Sequence, residues 1–195
     1  GSLVTYTPDL DYNGNDSFEF TVSDGSESST ETVTLTVSAI NDAPVLASVL
    51  DIDFDEDTSE IISLSANDVD GDQLIFSITE GIDITAILSG NDVTFSAPAD
   101  FNGSESFTIT VSDGNLLDEQ TFTVTVNAVN DPPVATAGLT GTTEEDQSTV
   151  ITLSGSDIDG DNLSFTVGSA TNGTLELSGS LVTYTPDLDY NGNDS

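Results

Sequence analysis

The stretch Phe-Thr-Ile-Thr-Val-Ser-Asp-Gly, residues 107–114, alternates apolar and hydroxyl side chains and then stops at an Asp-Gly pair. Strict alternation over this length is typical of a β-strand that has one face in a core and the other in water. The same alternation recurs at Phe122, Val124 and Val126. We therefore predict half-buried strands that are separated by turns.

The alternation extends outward from this stretch to further runs in residues 62–66 and 74–78. Thr, Val, Ile and Phe dominate the runs, Gly, Asn, Asp and Pro separate them, and no helical period appears. About seven short strands in about 90 residues are typical of an antiparallel sandwich. The sequence thus predicts an all-β fold built of immunoglobulin- or cadherin-like β-sandwich repeats.

Internal repetition is the strongest long-range pattern in the sequence. Residues 1–17 recur letter for letter as residues 179–195, and half of that offset, 89 residues, places 68–72 on the similar segment 157–161. Self-similarity at a fixed offset is the signature of a tandem array. We predict repeats in tandem with a period of 89 residues.

Two proline-containing segments, 39–45 and 128–134, separate the copies. Proline removes a backbone donor and ends a strand, so these segments are predicted to be short linkers. The predicted domains are the C-terminal part of a repeat plus linker (1–42), a complete repeat plus linker (43–131) and the N-terminal part of the next repeat (132–195). No leader-like or membrane-length apolar run occurs, so we expect an internal segment.

The charge is entirely negative, with 36 acidic residues, no Lys, Arg or His, and a formal net charge of -36. Phosphate binding depends on basic side chains, so nucleic acid and direct membrane binding are excluded as functions. Without His, Cys or Lys, only a glycosidase-like carboxylate pair remains for catalysis. Such a pair belongs in one cleft and not in every repeat, so we do not expect an enzyme.

The acidic motifs lie at strand ends and linkers, whereas the outward strand positions are mostly Ser and Thr. Without thiolate or imidazole, only oxygen ligands are available, and calcium takes about six to eight of them. We therefore predict Ca²⁺ as the bound ion, with a merely solvated acidic surface as the alternative. An EF-hand loop is disfavoured because Gln73 and Asn162 stand where that loop requires glycine.

Four motifs in fixed order carry a family resemblance: Asn-Asp-x-Pro at the linkers, Glu56-Asp57, the segment 66–78 and the segment 107–114. Together they resemble the bacterial cadherin-like tandem repeats (tandem-95 type) of large calcium-dependent surface adhesins, a group that includes RTX adhesins of biofilms. The resemblance extends over the full length.

The resemblance implies a multi-calcium cluster at each joint between repeats, with side-chain oxygens as ligands. The implied ligands of the first joint are Asp11, Asn41, Asp42, Asp68, Asp70 and Asp113. Those of the second joint are Glu56, Asp100, Asn130, Asp131, Asp157 and Asp159.

The function implied by the resemblance is that of a calcium-rigidified extender, which projects a distal binding domain from the bacterial cell surface. Its partners are then the neighbouring repeats of the same chain. The alternative is an adhesive module in which the repeats themselves bind a glycan or a partner repeat. The absence of Trp and the small number of aromatic residues count against a glycan site.

The split terminal repeats suggest a further partner. Residues 1–39 carry late strands with Phe18, Phe20 and Val22, and residues 134–195 carry early strands with apolar positions such as Ile151 and Phe165. Each piece leaves strand edges unpaired. We expect head-to-tail complementation between chains, in which the late strands of one chain complete the sandwich of the next.

Overall fold

A computed structural model describes residues 2–195, so Gly1, where the predicted piece 1–42 begins, lies outside the described residues. Within that range the chain forms sixteen β-strands and contains no helix that could span a membrane. The strands are β1 (Gly14–Ser23), β2 (Ser28–Val37), β3 (Val45–Leu46), β4 (Ile52–Asp55), β5 (Ser59–Ser63), β6 (Ala66–Asn67), β7 (Ile75–Ile78), β8 (Thr85–Ser89), β9 (Asp92–Ser96), β10 (Gly103–Ser112), β11 (Leu117–Asn127), β12 (Val134–Ala135), β13 (Thr149–Thr152), β14 (Gly155–Ser156), β15 (Gly173–Ser178) and β16 (Leu181–Pro186).

The chain divides into two units, residues 1–127 and 128–195. In the first unit, residues 41–127 form two layers: a four-stranded sheet in the order β4-β11-β10-β7 and a three-stranded sheet in the order β5-β9-β8. The short strands β3 and β6 pair with each other. The predicted all-β class and the antiparallel sandwich are confirmed.

Three phenylalanines join the two layers of the sandwich. The ring centroid of Phe95 on β9 lies 5.3 Å from that of Phe107 on β10 and 6.0 Å from that of Phe122 on β11, both edge to face. Aromatic pairs in this geometry stabilise a core by about 0.5–1.5 kcal/mol beyond their buried area. The alternating residues of β10 and β11 therefore face the opposite sheet, as the sequence predicts.

Two features of this sandwich differ from the sequence prediction. Nine strands rather than seven lie between residues 43 and 131, because β3 and β6 have two residues each and are too short for alternation to show. In addition, β4 pairs with β11 in parallel, in the register Ile52 to Val124 and Phe54 to Val126. Alternation places side chains on faces but is the same for either strand direction.

The first unit also contains the β1-β2 hairpin, a separate two-stranded sheet in which Phe18 lies opposite Val33. The second unit has a three-stranded sheet, β13-β16-β15, and the small pair β12-β14. Val182 and Pro186 on β16 are buried there, and Val182 is 4% exposed.

Candidate metal centre

The loop of residues 68–72 is organised around the carboxylate of Asp68. Its Oδ1 accepts the N–H groups of Asp70 at 2.9 Å and Gly71 at 3.0 Å, and that of Asp72 at 3.4 Å. Gly71 has φ +78°, a conformation that glycine adopts without strain. The other oxygen, Asp68 Oδ2, is buried and has no hydrogen-bond partner among the described residues.

The linker residues 41 and 42 are held against this loop. The N–H of Asp42 donates to Asp70 Oδ2 at 2.8 Å, and the side-chain amide of Asn41 donates to Asp113 Oδ2 at 2.7 Å. Because these bonds use nitrogen donors, the Asn41 amide oxygen is not consumed by them. The structure thus brings together five of the predicted first-joint residues: Asn41, Asp42, Asp68, Asp70 and Asp113.

Asp113 is held in its ionised form. The amide of Asn41 and the N–H groups of Leu116 and Asn115 donate to its carboxylate, and together they lower its pKa below the ordinary value. Hydrogen bonds from donors stabilise the charged form of a carboxylate. This part of the site therefore presents negative charge at neutral pH.

Asp11 does not join this cluster. It lies in the turn before β1 with φ 58°, and in the described part of the chain its side chain shares no hydrogen bond with the five residues. The turn itself recurs at residues 98–101 and 187–190, where the N–H of Phe101 and that of Tyr190 close the same four-residue loop. Asp11 therefore remains a predicted ligand only.

A second acidic group lies at the end of β4 in the first unit. Glu56 is 3% exposed, and its N–H donates to the Asn127 carbonyl at 2.9 Å, which extends the parallel β4-β11 pairing. The N–H of Asp100 donates to Asp57 Oδ1 at 3.2 Å, and carboxylate oxygens of these two residues lie within 4.8 Å of each other. Glu56 and Asp100 were predicted ligands.

Asp57 is the residue that the ligand prediction omitted. Asp57 and Asp100 both have positive φ, 62° and 57°, and the pair recurs in the second unit as Asp146 and Asp189, with φ 61° and 58°. There the N–H of Asp189 donates to Asp146 Oδ1 at 3.0 Å. The repeated Glu-Asp dipeptide was a signal that could have identified Asp57.

In the second unit, the predicted ligands around residues 130 and 157 repeat the geometry of the first cluster. The N–H of Asp131 donates to Asp159 Oδ2 at 2.7 Å, and carboxylate oxygens of this pair lie within 4.8 Å of each other. Asp157 Oδ1 accepts the N–H of Asp161 at 3.1 Å, and the Asn130 amide donates to the Asp131 carbonyl at 2.9 Å. The arrangement is therefore encoded within each copy.

The donor set is suited to a hard divalent cation. Every candidate ligand is a carboxylate or amide oxygen, and the sequence contains no basic side chain to neutralise them. A buried carboxylate oxygen without a partner is costly unless a cation compensates it. Calcium accepts irregular sets of oxygen ligands at about 2.3–2.6 Å, so the residues fit this ion.

The fold and this oxygen-rich site define a repeat module of the immunoglobulin and cadherin-like class. Comparison with protein families agrees: the Bacterial Ig domain family matches residues 41–127 and 130–195, and the Cadherin-like domain matches residues 1–38. The chain belongs to the Bacterial Ig domain family and is a bacterial cadherin-like repeat.

This chain matches only a part of each individual protein that it resembles. Chitinase A of Pseudoalteromonas piscicida is 33% identical over 108 residues, which are 54% of this chain and 13% of that protein. Mouse protocadherin-24 EC1-3 matches 93% of this chain and 69% of its own, with 16% identity and a TM-score of 0.52. Protocadherin gamma B2 extracellular domains 1-5 matches 90% of this chain and 40% of its own, also at 16% and 0.52.

The protocadherin likeness shows the fold alone, and it confirms the predicted immunoglobulin- or cadherin-like architecture. Bacterial Ig and cadherin-like domains are adhesion or extender modules that are typical of extracellular or surface proteins. They are typically not enzymes, and cadherin-like domains usually bind calcium. The clustered acidic residues of this chain agree with that property.

Proposed function

We propose that this chain is a calcium-rigidified extender region of a bacterial surface adhesin, which projects a distal binding domain away from the cell. The observation that carries the proposal is the buried, unpartnered Oδ2 of Asp68 inside a cluster of further acidic side chains. A carboxylate oxygen that is removed from water and has no donor calls for a cation.

The ligands that would hold calcium lie around each linker. They are the predicted residues Asp11, Asn41, Asp42, Glu56, Asp68, Asp70, Asp100, Asp113, Asn130, Asp131, Asp157 and Asp159, together with Asp57. When bound, the ion supplies positive charge that converts mutual repulsion into shared coordination. Without it, two carboxylates about 4 Å apart repel by roughly 1–4 kcal/mol at effective dielectrics between water and a protein surface.

The hydrogen bonds described above support the proposal that such an ion stiffens a linker. Asp42 and Asp131 donate their backbone N–H groups to Asp70 and Asp159, so the linker already lies against the acidic loop of the repeat that follows it. Coordination by the same side chains would fix the linker backbone to that loop. In the proposed mechanism, the ion therefore neutralises the repelling carboxylates and thereby reduces the mobility of the linker.

The alternative of a glycan-binding or homophilic module has less support. Phe95, Phe107 and Phe122 are buried in the core and offer no surface for a sugar ring to stack on. The absence of Lys, His and Cys likewise supports a role without catalysis. An extender requires only stable sandwiches and stiff joints, and the chain supplies candidates for both.

The proposal is tested by adding calcium to the full chain at matched ionic strength and measuring thermal unfolding and small-angle X-ray scattering on the same samples. Binding to the folded state alone adds about 2.7 kcal/mol at a hundredfold excess over Kd, so the melting temperature should rise and fall again with chelator. The scattering data should change from those of a broad, flexible ensemble to those of a stiffer particle as calcium is added.

Two variants sharpen this experiment. Asp68→Asn keeps the shape of the side chain but removes its charge, and we expect it to lose much of the calcium-induced stabilisation. Glu176→Gln removes one charge from the face of β15, outside the acidic clusters, and should respond as the parent does. A melting curve that calcium leaves unchanged would contradict the proposal and favour a solvated acidic surface. Stabilisation without a change in scattering would contradict the extender mechanism.

A further inference from the structure

Two polar side chains on β11 stand where alternation predicts apolar ones. Asp118 and Gln120 have the same parity along the strand as the buried Phe122 and Val124, and both are half-buried. A polar group on the core-facing side of a strand is costly unless it is hydrogen-bonded. The partners of these two side chains therefore indicate what they do.

Both side chains bond to the backbone of residues 46–51, the segment that connects β3 to β4. Asp118 Oδ2 accepts the N–H of Leu46 at 2.8 Å. The side-chain amide of Gln120 accepts the N–H of Val49 at 3.0 Å and donates to the carbonyl of the same residue. Gln120 thus pairs with Val49 as the backbone of a neighbouring strand would.

Backbone pairing continues where these side-chain bonds end. Asp51 Oδ1 accepts the N–H of Thr123 at 2.7 Å, and the parallel ladder of β4 and β11 follows. Beyond the ladder, the N–H of Glu56 donates to the Asn127 carbonyl at 2.9 Å. Residues 46–56 are therefore bonded to β11 along almost the whole of that strand.

The place of these bonds in the chain determines how they respond to tension. The chain enters the sandwich from the linker 39–45 at residues 46–56, and it leaves toward the linker 128–134 at the end of β11. Because β4 and β11 are parallel, the entry and the exit lie at opposite ends of the strand pair. Tension between the linkers therefore slides one strand along the other and loads all the bonds together.

An antiparallel pair responds differently. The free ends of the β10-β11 hairpin lie side by side, so tension between them breaks its bonds one after another. The parallel arrangement shares the same load over many bonds. The number of bonds in the series then determines how much tension the sandwich resists.

We propose that residues 46–56 and β11 form a mechanical clamp, and that Asp118 and Gln120 extend it beyond its backbone ladder. The ladder alone has four residue pairs, and the two side chains add bonds over residues 46–49 that are loaded in the same direction. The use of the clamp in an extender under tension rests on the proposed function. The clamp itself requires no calcium.

The sequence places this extension in the copy 43–131. At the positions 89 residues earlier than Asp118 and Gln120, the chain has Ser29 and Glu31. An ionised glutamate accepts hydrogen bonds but donates none, so it cannot satisfy a carbonyl as the amide of Gln120 does. Gln120→Glu therefore introduces the neighbouring copy's residue and is the informative variant.

The test is single-molecule force spectroscopy of the full chain, with and without calcium. Handles are attached to introduced cysteines, since the chain has none of its own. In the first geometry Ile40→Cys and Ala128→Cys carry the handles, and the load crosses the clamp. In the second, Ser89→Cys and Asn115→Cys carry them, and the load enters through β8 and the β10-β11 turn. All four positions are exposed.

In the first geometry we expect Gln120→Glu to unfold about tenfold faster than the parent at a given force, which corresponds to about 1.4 kcal/mol of barrier. The variant loses the bond to the Val49 carbonyl and places a carboxylate beside it. In the second geometry the acceleration should be less than about twofold. Glu119→Gln, which changes one charge on the opposite face of β11, should match the parent in both.

Gln120→Leu provides a second variant that preserves folding. It keeps the size of the side chain at a core-facing position and removes both bonds to Val49, so it should also unfold faster in the first geometry alone. Equal acceleration in the two geometries would overturn the proposal, because Gln120 would then stabilise the fold without bearing load. Unchanged unfolding of both variants in the first geometry would overturn it as well.

The calcium comparison separates this proposal from the extender proposal. The difference between the two geometries should persist with and without calcium, because none of the bonds of Asp118 and Gln120 involves a proposed ligand. A difference that is present only in calcium would overturn the clamp as described. Absence of any calcium effect on the parent would contradict the extender proposal and leave the clamp supported.

Discussion

The hairpins β10-β11 and β1-β2 lie 89 residues apart and have the same alternation of apolar and polar residues, yet the apolar face of only one of them is buried. Val111 is fully buried in β10, and its counterpart Val22 in β1 is 62% exposed. The difference lies in the second sheet, β5-β9-β8, which faces β10-β11 and which supplies Phe95. Alternation therefore determines which face is apolar, and the opposing layer determines whether that face stabilises the fold.

The largest expected effect comes from substituting the equivalent phenylalanines of the two hairpins, Phe107 and Phe18. Phe107→Ala should lower the free energy of unfolding of its sandwich by about 3–5 kcal/mol, because it removes a fully buried ring that packs on Phe95 and Phe122. Phe18→Ala should cost only about 1 kcal/mol, since the ring of Phe18 is only half-buried and its removal costs less packing. Chemical denaturation followed by circular dichroism, at a concentration too low for association, measures both. Equal losses would contradict the contrast.

A smaller effect is expected at Glu105. Burial disfavours its charge, but the N–H groups of Asp83, Ile82 and Ile84 outweigh burial and lower its pKa below the ordinary value. Glu105→Gln should cost about 1 kcal/mol at pH 7, because charge-assisted hydrogen bonds are weakened at a partly solvated site.

The sign of the pH dependence follows from this direction. A carboxyl whose folded-state pKa is depressed contributes stability above its unfolded pKa of about 4.3, and the contribution is lost as pH falls through the folded value. Denaturation midpoints of the parent and of Glu105→Gln should therefore converge in acid. A difference that persists undiminished at low pH would show that shape, not charge, is responsible.

The smallest expected effect compares the two identical segments, 1–17 and 179–195. Tyr6 donates its hydroxyl to Asp16 at 2.8 Å, which raises its pKa to about 12, and Tyr184 donates to Asp194 at 3.1 Å. The pKa of Tyr184 is raised first by burial and then by this hydrogen bond. Any stabilisation by these phenols is complete below pH of about 10 and is lost as pH rises through the folded values.

An ultraviolet titration of the tyrosines measures this difference. Asp16→Asn should move the titration of Tyr6 toward the ordinary value and leave Tyr184 unaffected, and Asp194→Asn should do the reverse to a smaller degree. If Asp16→Asn leaves all four tyrosines unchanged, the Tyr6 to Asp16 hydrogen bond does not persist in solution.

Much of the site could be predicted because its motifs are local. The loop around Asp68 depends on residues at most four positions apart, so its pattern of aspartates and glycine can be recognised directly in the sequence. The domain boundaries at residues 42 and 131, the ligand set and the complementation between chains stay predictions. Asp57 was missed because its partner Asp100 is 43 residues away.

The amino-acid sequence by itself determined the all-β class, the apolar faces of the strands and the concentration of acids at strand ends, since each depends on neighbours a few residues apart. Tertiary structure alone decided that β4 runs parallel to β11 and that the Asn41 amide meets Asp113, which is 72 residues away. It also decided that Asp68 Oδ2 is buried without a donor. These features depend on which strands become neighbours, and a local side-chain pattern does not encode the distant strand with which it will pair.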